Sequence, residues 1–407
     1  MLLSFLSVSE KYSQSKGFIG SILVLHFAVN GVFLSGDLLS LFIFFEALLI
    51  PMYFLMGIWG GENRRYATIK FIIYTVFGSV FIFIGTVYAG VISYGSTGRL
   101  ALDFMTLSSL SFTTEQSRVL FLMFTFGFLI KVPIFPLHTW LPDAHVEAPT
   151  AGSILLAGVL LKVGAYGVLR VSIPFFTEGF LEYKFIIAVL SVIGIIYGAI
   201  VAIAQIDIKR LIAYSSVSHM GFVLLGIAAA KGGTAELGLN GAALQMFTHG
   251  TITGLLFLTV GFIYDRAHTR HIPDLGGLAG RMPFLAAALL VAGLASLGLP
   301  GTSGFVAEIT IFLGSFPAWH WFAALAAIGV VLTAGYILWM IQRVMFGPRP
   351  AHHNNLTDAS IPEMIPVAIL VASIFVVGIY PAAISDVFNS GLNPIVDELS
   401  SYVMGAK

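Results

Sequence analysis

The chain has 407 residues, of which 58% are hydrophobic and only 10% are charged, and its mean hydropathy is +0.95. A soluble protein carries about 25% charged residues, so this sequence has too few to cover a surface exposed to water. The formal net charge of zero argues against nucleic-acid binding, because no basic patch exists to collect phosphates. The absence of cysteine excludes disulfides, thiolate metal sites and iron–sulfur clusters on this chain.

Apolar stretches of roughly 20 residues, the length that spans a bilayer, recur along the whole sequence. They predict an all-α polytopic membrane protein, a single membrane domain of residues 1–407 with about eleven transmembrane helices. The helices are expected near 17–36, 38–60, 67–94, 119–141, 150–171, 184–205, 209–230, 239–262, 283–317, 321–346 and 364–385. The ninth is too long for one straight helix, and the run SLGLPGTSGF (296–305) predicts a break inside it.

The order of the helices indicates an internal repeat. Residues 17–171 form a first group of five helices and residues 184–346 a second group, followed by a terminal transmembrane helix at 364–385. The fourth helix of each group is interrupted by prolines or glycines. Because an odd number of helices is repeated in tandem, the second group is expected to cross the membrane with inverted polarity. Transporters built in this way bind ions at broken helices near the middle of the membrane.

Lysine and arginine residues are distributed unevenly over the predicted loops. One side collects Lys11, Lys16, Arg64, Arg65, Lys70, Lys209, Arg210, Arg266, Arg270, Arg281, Arg343 and Arg349. The other side collects Arg99, Arg118, Arg170, Lys184, Lys231 and Lys407. Since cytoplasmic loops carry the excess of basic residues, the amino terminus is predicted to be cytoplasmic and the carboxyl terminus to lie on the opposite side.

Titratable side chains inside the predicted helices are the candidate functional residues. A charge in the middle of a bilayer is costly, so it is tolerated mainly for a function or for a buried partner. The candidates are Glu46, Lys131, Lys162, His219, His249 and Glu308. Between Met282 and Gln342, Glu308 is the only Asp, Glu, Lys or Arg residue.

Glu46 and Lys131 allow two interpretations. They form either a buried ion pair that joins two helices or a proton-loading pair. A buried ion pair often adds little stability over apolar residues of the same volume. In a proton-loading pair, burial disfavours the charged lysine and a nearby carboxylate favours it, so a small change in their separation would release the proton.

His219 and His249 lie among serine, threonine and glutamine residues, and they also have two interpretations. They are either hydrogen-bonded interior residues or members of a wetted chain along which neutral imidazole passes protons. The polar neighbours in sequence are Ser215, Ser216, Ser218, Gln245, Thr248 and Thr251. No histidine spacing suits a metal, and no dinucleotide or phosphate-binding motif occurs, so neither a metal nor a cofactor is expected.

The segment LPDAHVEAPT (141–150) holds Asp143, His145 and Glu147. We interpret it first as a solvated loop that caps the fifth helix, with Thr150 as the N-cap. The alternative is a place where protons enter or leave the membrane interior.

Four long motifs resemble a known family. They are FFEALLIPMYFLMGIWGG (44–61), FLIKVPIFPLHTWLPDAHVEAPTAGSILLAGVLLKVGAYGVLR (128–170), DIKRLIAYSSVSHMGF (207–222) and GLPGTSGFVAEITIFLGSF (298–316). These motifs are similar to those of the antiporter-like membrane subunits of respiratory complex I, NADH-quinone oxidoreductase, and within that family to the subunit M or chain 4 group. Glu308 supports this group, because the sister L and N subunits usually carry lysine at the matching broken helix.

The resemblance implies a fold of fourteen helices that includes two inverted five-helix repeats, a hydrated polar axis in the middle of the membrane and no cofactor on this chain. It implies three further helices before the one that begins near Gly17, so the sequence is predicted to be short at its amino terminus. By this resemblance, Glu46 is the key carboxylate and Lys131 the lysine of the first broken helix. Lys162 is the bridging lysine, His219 and His249 are the central histidines, and Glu308 is the terminal residue of the second half-channel.

The leading hypothesis is therefore a proton-translocating subunit of an NADH-quinone oxidoreductase in the inner (plasma) membrane of the cell. It would contact neighbouring L-like and N-like subunits, the lipid bilayer, protons and water. Two other hypotheses stay open. One is a subunit of a multi-subunit cation/proton antiporter or a membrane-bound hydrogenase, and the other is a passive structural spacer.

Overall fold

The computed structural model describes residues 14–230, 235–348, 350, 353 and 356–405. In these ranges the chain consists of helices joined by short loops. The helices are α1 (Lys16–Leu34), α2 (Leu38–Trp59), α3 (Arg64–Thr97), α4 (Phe104–Ser109), α5 (Thr114–Lys131), α6 (Trp140–Glu147), α7 (Thr150–Phe175), α8 (Thr177–Ile203), α9 (Ile208–Ala228), α10 (Ala235–Ala267), α11 (Pro283–Ser296), α12 (Ser303–Met345), α13 (Ile361–Ile379) and α14 (Ala382–Gly405).

Nine helices of the described part are long and apolar enough to cross a membrane. They are α1, α2, α3, α7, α8, α9, α10, α12 and α13. The prediction of an all-α polytopic membrane protein is confirmed. Lys11, Lys231, Arg349 and Lys407, which the prediction of orientation uses, lie outside the described residues.

Both predicted helix breaks are present. The first falls after Lys131, where α5 ends, so the predicted helix 119–141 is too long. Pro133 contributes to this end, because proline has no N–H with which to continue the backbone hydrogen bonds of the helix. The second break separates α11 from α12, between Ser296 and Ser303.

The carboxyl-terminal part differs from the prediction. A single helix was expected at 364–385, but α13 ends at Ile379 and a separate helix, α14, begins at Ala382. Pro381 accounts for the boundary, since it disfavours the helical conformation of Tyr380. The 24 residues of α14 include many polar side chains, so hydropathy does not predict it as a span.

Helix α9 lies at the centre of the protein. In the most apolar 18-residue stretch of α9, 94% of the residues are buried. The corresponding share for α13, at the periphery, is 28%. It packs against α8, α10 and α12, so its polar face contacts protein on several sides. The inverted relation between residues 17–171 and 184–346 stays a prediction.

Close backbone contact holds α10 and α12 together and gives a first testable prediction. A Cβ atom added to Gly314 would lie 2.6 Å from the Cα atom of Gly238, so Gly314→Ala must push the helices apart. Overpacking of this kind costs about 1–3 kcal/mol, and we expect a lower thermal unfolding temperature in detergent. The matched control is Gly335→Ala on the same helix, where an added Cβ meets nothing within 4 Å. An equal loss of stability in both variants would contradict this packing argument.

Candidate functional site

Lys162 lies in α7 between two π-helical segments, Leu156–Leu160 and Val168–Ser172. A π-helical turn leaves the i→i−4 hydrogen-bond pattern and often marks a functional site. The Lys162 ammonium donates to the carbonyl of Ala157, inside the first π segment, and lies 2.7 Å from Nδ1 of His249. Only 7% of the Lys162 surface is exposed. The predicted bridging lysine is therefore buried and bonded directly to a predicted central histidine.

The two central histidines are neighbours. His249 on α10 and His219 on α9 have ring centroids 5.8 Å apart. Because an ammonium group can only donate, Nδ1 of His249 accepts when Lys162 is protonated, and the hydrogen of the neutral ring is then on Nε2. Within the described residues this Nε2 atom has no hydrogen-bond partner.

His219 continues the series towards Glu308. Its Nδ1 atom lies 3.5 Å from Oε1 of Glu308 and 3.5 Å from Nε2 of Gln245. Its Nε2 atom lies 3.1 Å from the hydroxyl of Ser296, the last residue of α11. Glu308 itself is buried on α12, so the acid predicted to end the series contacts the histidine predicted to precede it.

A cavity of about 10 Å³ lies among these groups. Such a volume is close to the lower limit for a single water molecule. It is lined by His219, Gln245, His249, Ile252, Thr253, Ala295, Ser296, Gly304 and Glu308. The cavity beside the two imidazole rings is therefore at the size limit for one water molecule and has polar side chains among its walls.

The second helix break shapes the surroundings of Glu308. Gly298 has a φ of +80°, a left-handed conformation that glycine adopts without strain. A Cβ atom at this position would lie 2.9 Å from Oε2 of Glu308. Glycine thus permits both the turn and the close approach of the carboxylate to the broken backbone.

Glu46 and Lys131 form a second, separate group. The Lys131 ammonium donates 2.9 Å to the carbonyl of Phe45 and lies 3.4 Å from the centre of the Phe45 ring. Among the described residues no ion pair within 4.0 Å joins Lys131 to Glu46, and Oε1 of Glu46 is buried without a partner. The interpretation as a closed ion pair is wrong for this conformation. The proton-loading interpretation stays a prediction.

The six predicted residues therefore fall into two sets. Lys162, His249, His219 and Glu308 form one series of contacts, which we call the central relay. Glu46 and Lys131 lie beside each other in α2 and α5. Across the described ranges, no hydrogen bond or ion pair directly joins Lys131 to the central relay.

The segment 141–150 is not a solvated loop, which corrects the first interpretation. The carboxylate of Asp143 forms ion pairs with Lys70 of α3 at 2.7 Å and with Arg210 of α9 at 3.0 Å. His145 is completely buried. Thr150 is the first residue of α7 and not its N-cap, because the extended Pro149 precedes the helix and no side chain caps it.

Arg270, in the loop after α10, joins this segment to the second half of the chain. Its guanidinium lies 2.6 Å from the carboxylate of Asp207 and 3.8 Å from that of Glu147, and it donates 2.7 Å to the carbonyl of Val146. Glu147 is 6% exposed and also accepts from the backbone of Asn63. These contacts cannot be predicted from local sequence patterns, since all of the paired residues are more than 60 positions apart along the chain.

Removal of the Arg270 side chain is predicted to destabilise the fold. Arg270→Gln removes the guanidinium that donates to the carbonyl of the buried Val146 and pairs with Asp207, and an unsatisfied buried acceptor costs about 1–3 kcal/mol. We expect a lower unfolding temperature, measured by scanning fluorimetry in detergent. Arg281→Gln is the control, because Arg281 is exposed and has no ion pair among the described residues. Equal stability of the two variants would disprove the proposed joining role.

Within the described residues no group of three or more His, Cys, Asp or Glu side chains is placed to hold a metal ion. Lysine, imidazole and carboxylate each exchange protons, and their contacts join α7, α10, α9 and α12.

Known proteins resemble this chain over most of its length. Residues 35–333 match the family described as NADH:quinone oxidoreductase/Mrp antiporter, TM. NADH-quinone oxidoreductase subunit M of Rhodobacter capsulatus is 43% identical over 410 residues, which cover 97% of this chain and 78% of that protein.

Solved structures have the same fold. A chain of respiratory complex I from Thermus thermophilus with bound NADH is 32% identical, with a TM-score of 0.87 over 94% of this chain and 79% of that chain. A chain of the Mrp complex from Dietzia sp. DQ12-45-1b is 22% identical, with a TM-score of 0.81 over 93% of this chain and 79% of that chain. The second likeness concerns the fold alone. The chain therefore belongs to the NADH:quinone oxidoreductase/Mrp antiporter family of membrane subunits.

Proposed function

We propose that this chain is the proton-translocating, antiporter-like membrane subunit of an NADH-quinone oxidoreductase. The observation that supports the proposal is the central relay, in which four buried titratable side chains from four helices each lie next to the following one in space. A buried titratable group inside the membrane marks an ion or proton pathway by default. The similarity to subunit M of Rhodobacter capsulatus supports the same role.

Each step of the relay transfers one proton between named atoms. Lys162 gives a proton from Nζ to Nδ1 of His249 and becomes a neutral amine. His249 releases its other proton, on Nε2, into the cavity, and a water there passes a proton to Nε2 of His219. His219 then gives its Nδ1 proton to Oε1 of Glu308. Neutral imidazole donates at one nitrogen and accepts at the other, so the histidines return to their starting charge.

Glu46 and Lys131 would couple the relay to the rest of the complex. Lys131 donates to a backbone carbonyl and lies over a ring face, and within the described part of the chain Oε1 of Glu46 accepts no hydrogen bond that would fix its distance from Lys131. A movement of a neighbouring subunit that changes their separation would change how strongly Lys131 holds its proton. Lys131 would then supply Lys162.

The finer parts of the proposal concern the assembly. The chain would carry no redox centre and would receive its energy from electron transfer elsewhere in the complex. Its neighbours would be L-like and N-like subunits of the membrane arm. It would lie in the plasma membrane with its amino terminus in the cytoplasm, and the two five-helix groups would be inverted repeats.

A second candidate function is cation/proton antiport, favoured by the family match, whose description includes the Mrp antiporter. The native assembly, purified through a tag on this chain and reconstituted in liposomes, separates the two. We expect NADH and a quinone to drive proton translocation in sodium-free buffer. Proton movement driven only by a sodium or potassium gradient, with no response to NADH, would contradict the proposal and support antiport.

A further inference from the structure

A cavity of about 570 Å³ lies along α7, between α1, α10 and α14, and the central relay does not account for it. This volume falls in the range of roughly 300–1,000 Å³ that is typical of sites for small molecules. Three side chains of α7 with polar ends line the cavity, Lys162, Tyr166 and Arg170. Residues four apart in a helix lie on the same face, so the cavity follows this face of α7 over about two turns.

The other walls of the cavity are mainly apolar. Phe247 of α10 lines one side, and Phe388, Leu392 and Ile395 of α14 line another. The three α14 residues recur at intervals of four and three, which is the spacing of the apolar face of an amphipathic helix. Val387 lines the same cavity and is 67% exposed, so the cavity opens at the surface of the protein.

The two basic residues of the cavity lie at different depths. Lys162 is in the middle of α7 (Thr150–Phe175), and Arg170 is eight residues further along the same helix. Eight residues of helix span about 12 Å, and half of the hydrocarbon core of a bilayer is about 15 Å thick. Arg170 therefore lies near the level of the lipid headgroups when Lys162 lies near the middle of the membrane.

The guanidinium of Arg170 is available to a ligand. Arg170 is exposed, and among the described residues no carboxylate forms an ion pair with it. Its guanidinium lies 5.0 Å from the centre of the Phe104 ring. Arginine stacks on aromatic faces and also presents a fork of N–H donors that matches the geometry of a phosphate.

Tyr166, between the two basic residues, is part of the wall. Its hydroxyl donates 3.3 Å to the carbonyl of Phe33 in α1, and the centroids of the two rings are 4.8 Å apart. The cavity thus has a cation at its mouth and a largely apolar interior that ends at Lys162.

We propose that the cavity binds an anionic phospholipid, with its phosphate on Arg170 and one acyl chain along α7 towards Lys162. A basic residue near the membrane surface attracts anionic lipids, and apolar walls suit an acyl chain. The chain covers the side of Lys162 that faces the cavity and keeps bulk water away from it. The site itself depends on the cavity and on Arg170, whereas its value to Lys162 rests on the proposed function.

The test uses the purified complex in vesicles of phosphatidylcholine that contain a smaller share of phosphatidylglycerol with a photoreactive diazirine on one acyl chain. After illumination, mass spectrometry of peptides locates the label. We expect label on α7, α10 and α14 at residues that line the cavity. Arg170→Gln removes the cation and should lower this labelling by roughly 5-fold, the effect of one basic residue on the binding of an anionic lipid.

Gly391→Phe is a second variant that leaves Arg170 in place. Gly391 lines the cavity, and a Cβ atom added there meets nothing within 4 Å, so a phenyl ring can occupy the space of the lipid. We expect a comparable loss of labelling. Arg99→Gln is the matched control, because Arg99 is an exposed arginine that does not line the cavity, and its labelling should equal that of the wild type.

Three results would overturn the inference. The first is an absence of label from the cavity in the wild-type complex, which would mean that a neighbouring subunit and not a lipid fills the space. The second is equal labelling of the wild type, Arg170→Gln and Gly391→Phe. The third is equal labelling by phosphatidylcholine with the same diazirine, which would contradict the selection of an anionic headgroup. None of these results depends on proton translocation, so a failure here leaves the proposed function to be tested separately by Lys162→Met.

Discussion

Lys162→Met is expected to slow proton translocation by roughly 100-fold, because a positioned proton-transfer group contributes about 10²–10⁴ to the rate. Methionine fills a similar space and is apolar, so the variant removes the proton donor to His249 and leaves the packing of α7 in place. Oxidation of NADH in the presence of a protonophore should persist. The measurement is the initial rate of acidification in liposomes that contain the purified complex.

Lys162→Arg separates charge from proton exchange. A guanidinium keeps its positive charge and its hydrogen bonds but does not release a proton at any physiological pH. We expect this variant to fail as Lys162→Met does. Lys184→Met is the control, since Lys184 is a buried lysine of α8 that lies 5.9 Å from the centre of the Phe180 ring. Wild-type pumping by Lys162→Arg would mean that Lys162 acts only as a fixed charge.

Neutralisation of either Glu46 or Lys131 is expected to slow proton translocation by a similar factor. Lys131→Ala removes the proton carrier at the first broken helix, and Glu46→Gln removes the charge that would control it. Both variants should slow translocation by roughly 100-fold while the complex assembles. The measurement is again the initial rate of acidification in liposomes that contain the purified complex.

Two further variants sharpen the test of this pair. Glu46→Asp keeps the carboxylate and should recover most of the rate. Glu62→Gln is the control, because Glu62 is an exposed residue in the loop that follows α2. Wild-type pumping by Lys131→Ala would remove the coupling step from the proposed mechanism.

Much of the fold follows from patterns that are local in sequence. Hydropathy locates the spans, and the run 296–305 with Pro300 and its glycines predicts the break that the structure has between Ser296 and Ser303. Local patterns fail at α14, where an amphipathic helix has too many polar residues to read as a span. They also fail at α6, where segment 141–150 reads as a loop because its ion-pair partners are far away in sequence.

The residues of the candidate site can be predicted from the sequence, but the contacts between them cannot. An isolated charge in an apolar helix, such as Glu308 or Lys162, is visible in the sequence. The pairing of Lys162 with His249 joins residues 87 positions apart and depends on how α7 and α10 pack. The π-helical segments that flank Lys162 have a shifted pattern of backbone hydrogen bonds, and no residue pattern predicts this shift. The burial of His145 was likewise hidden, because only the tertiary structure places Phe257 against it.

The most direct test of the central relay is the number of protons translocated per NADH by the Glu308→Gln complex. Glutamine has nearly the shape of glutamate and still reaches His219, but its amide cannot take the proton from Nδ1. The account predicts that translocation falls by roughly 100-fold, with NADH oxidation in the presence of a protonophore unchanged. A wild-type number of protons per NADH in this variant would contradict the account, because the relay would then not pass through Glu308.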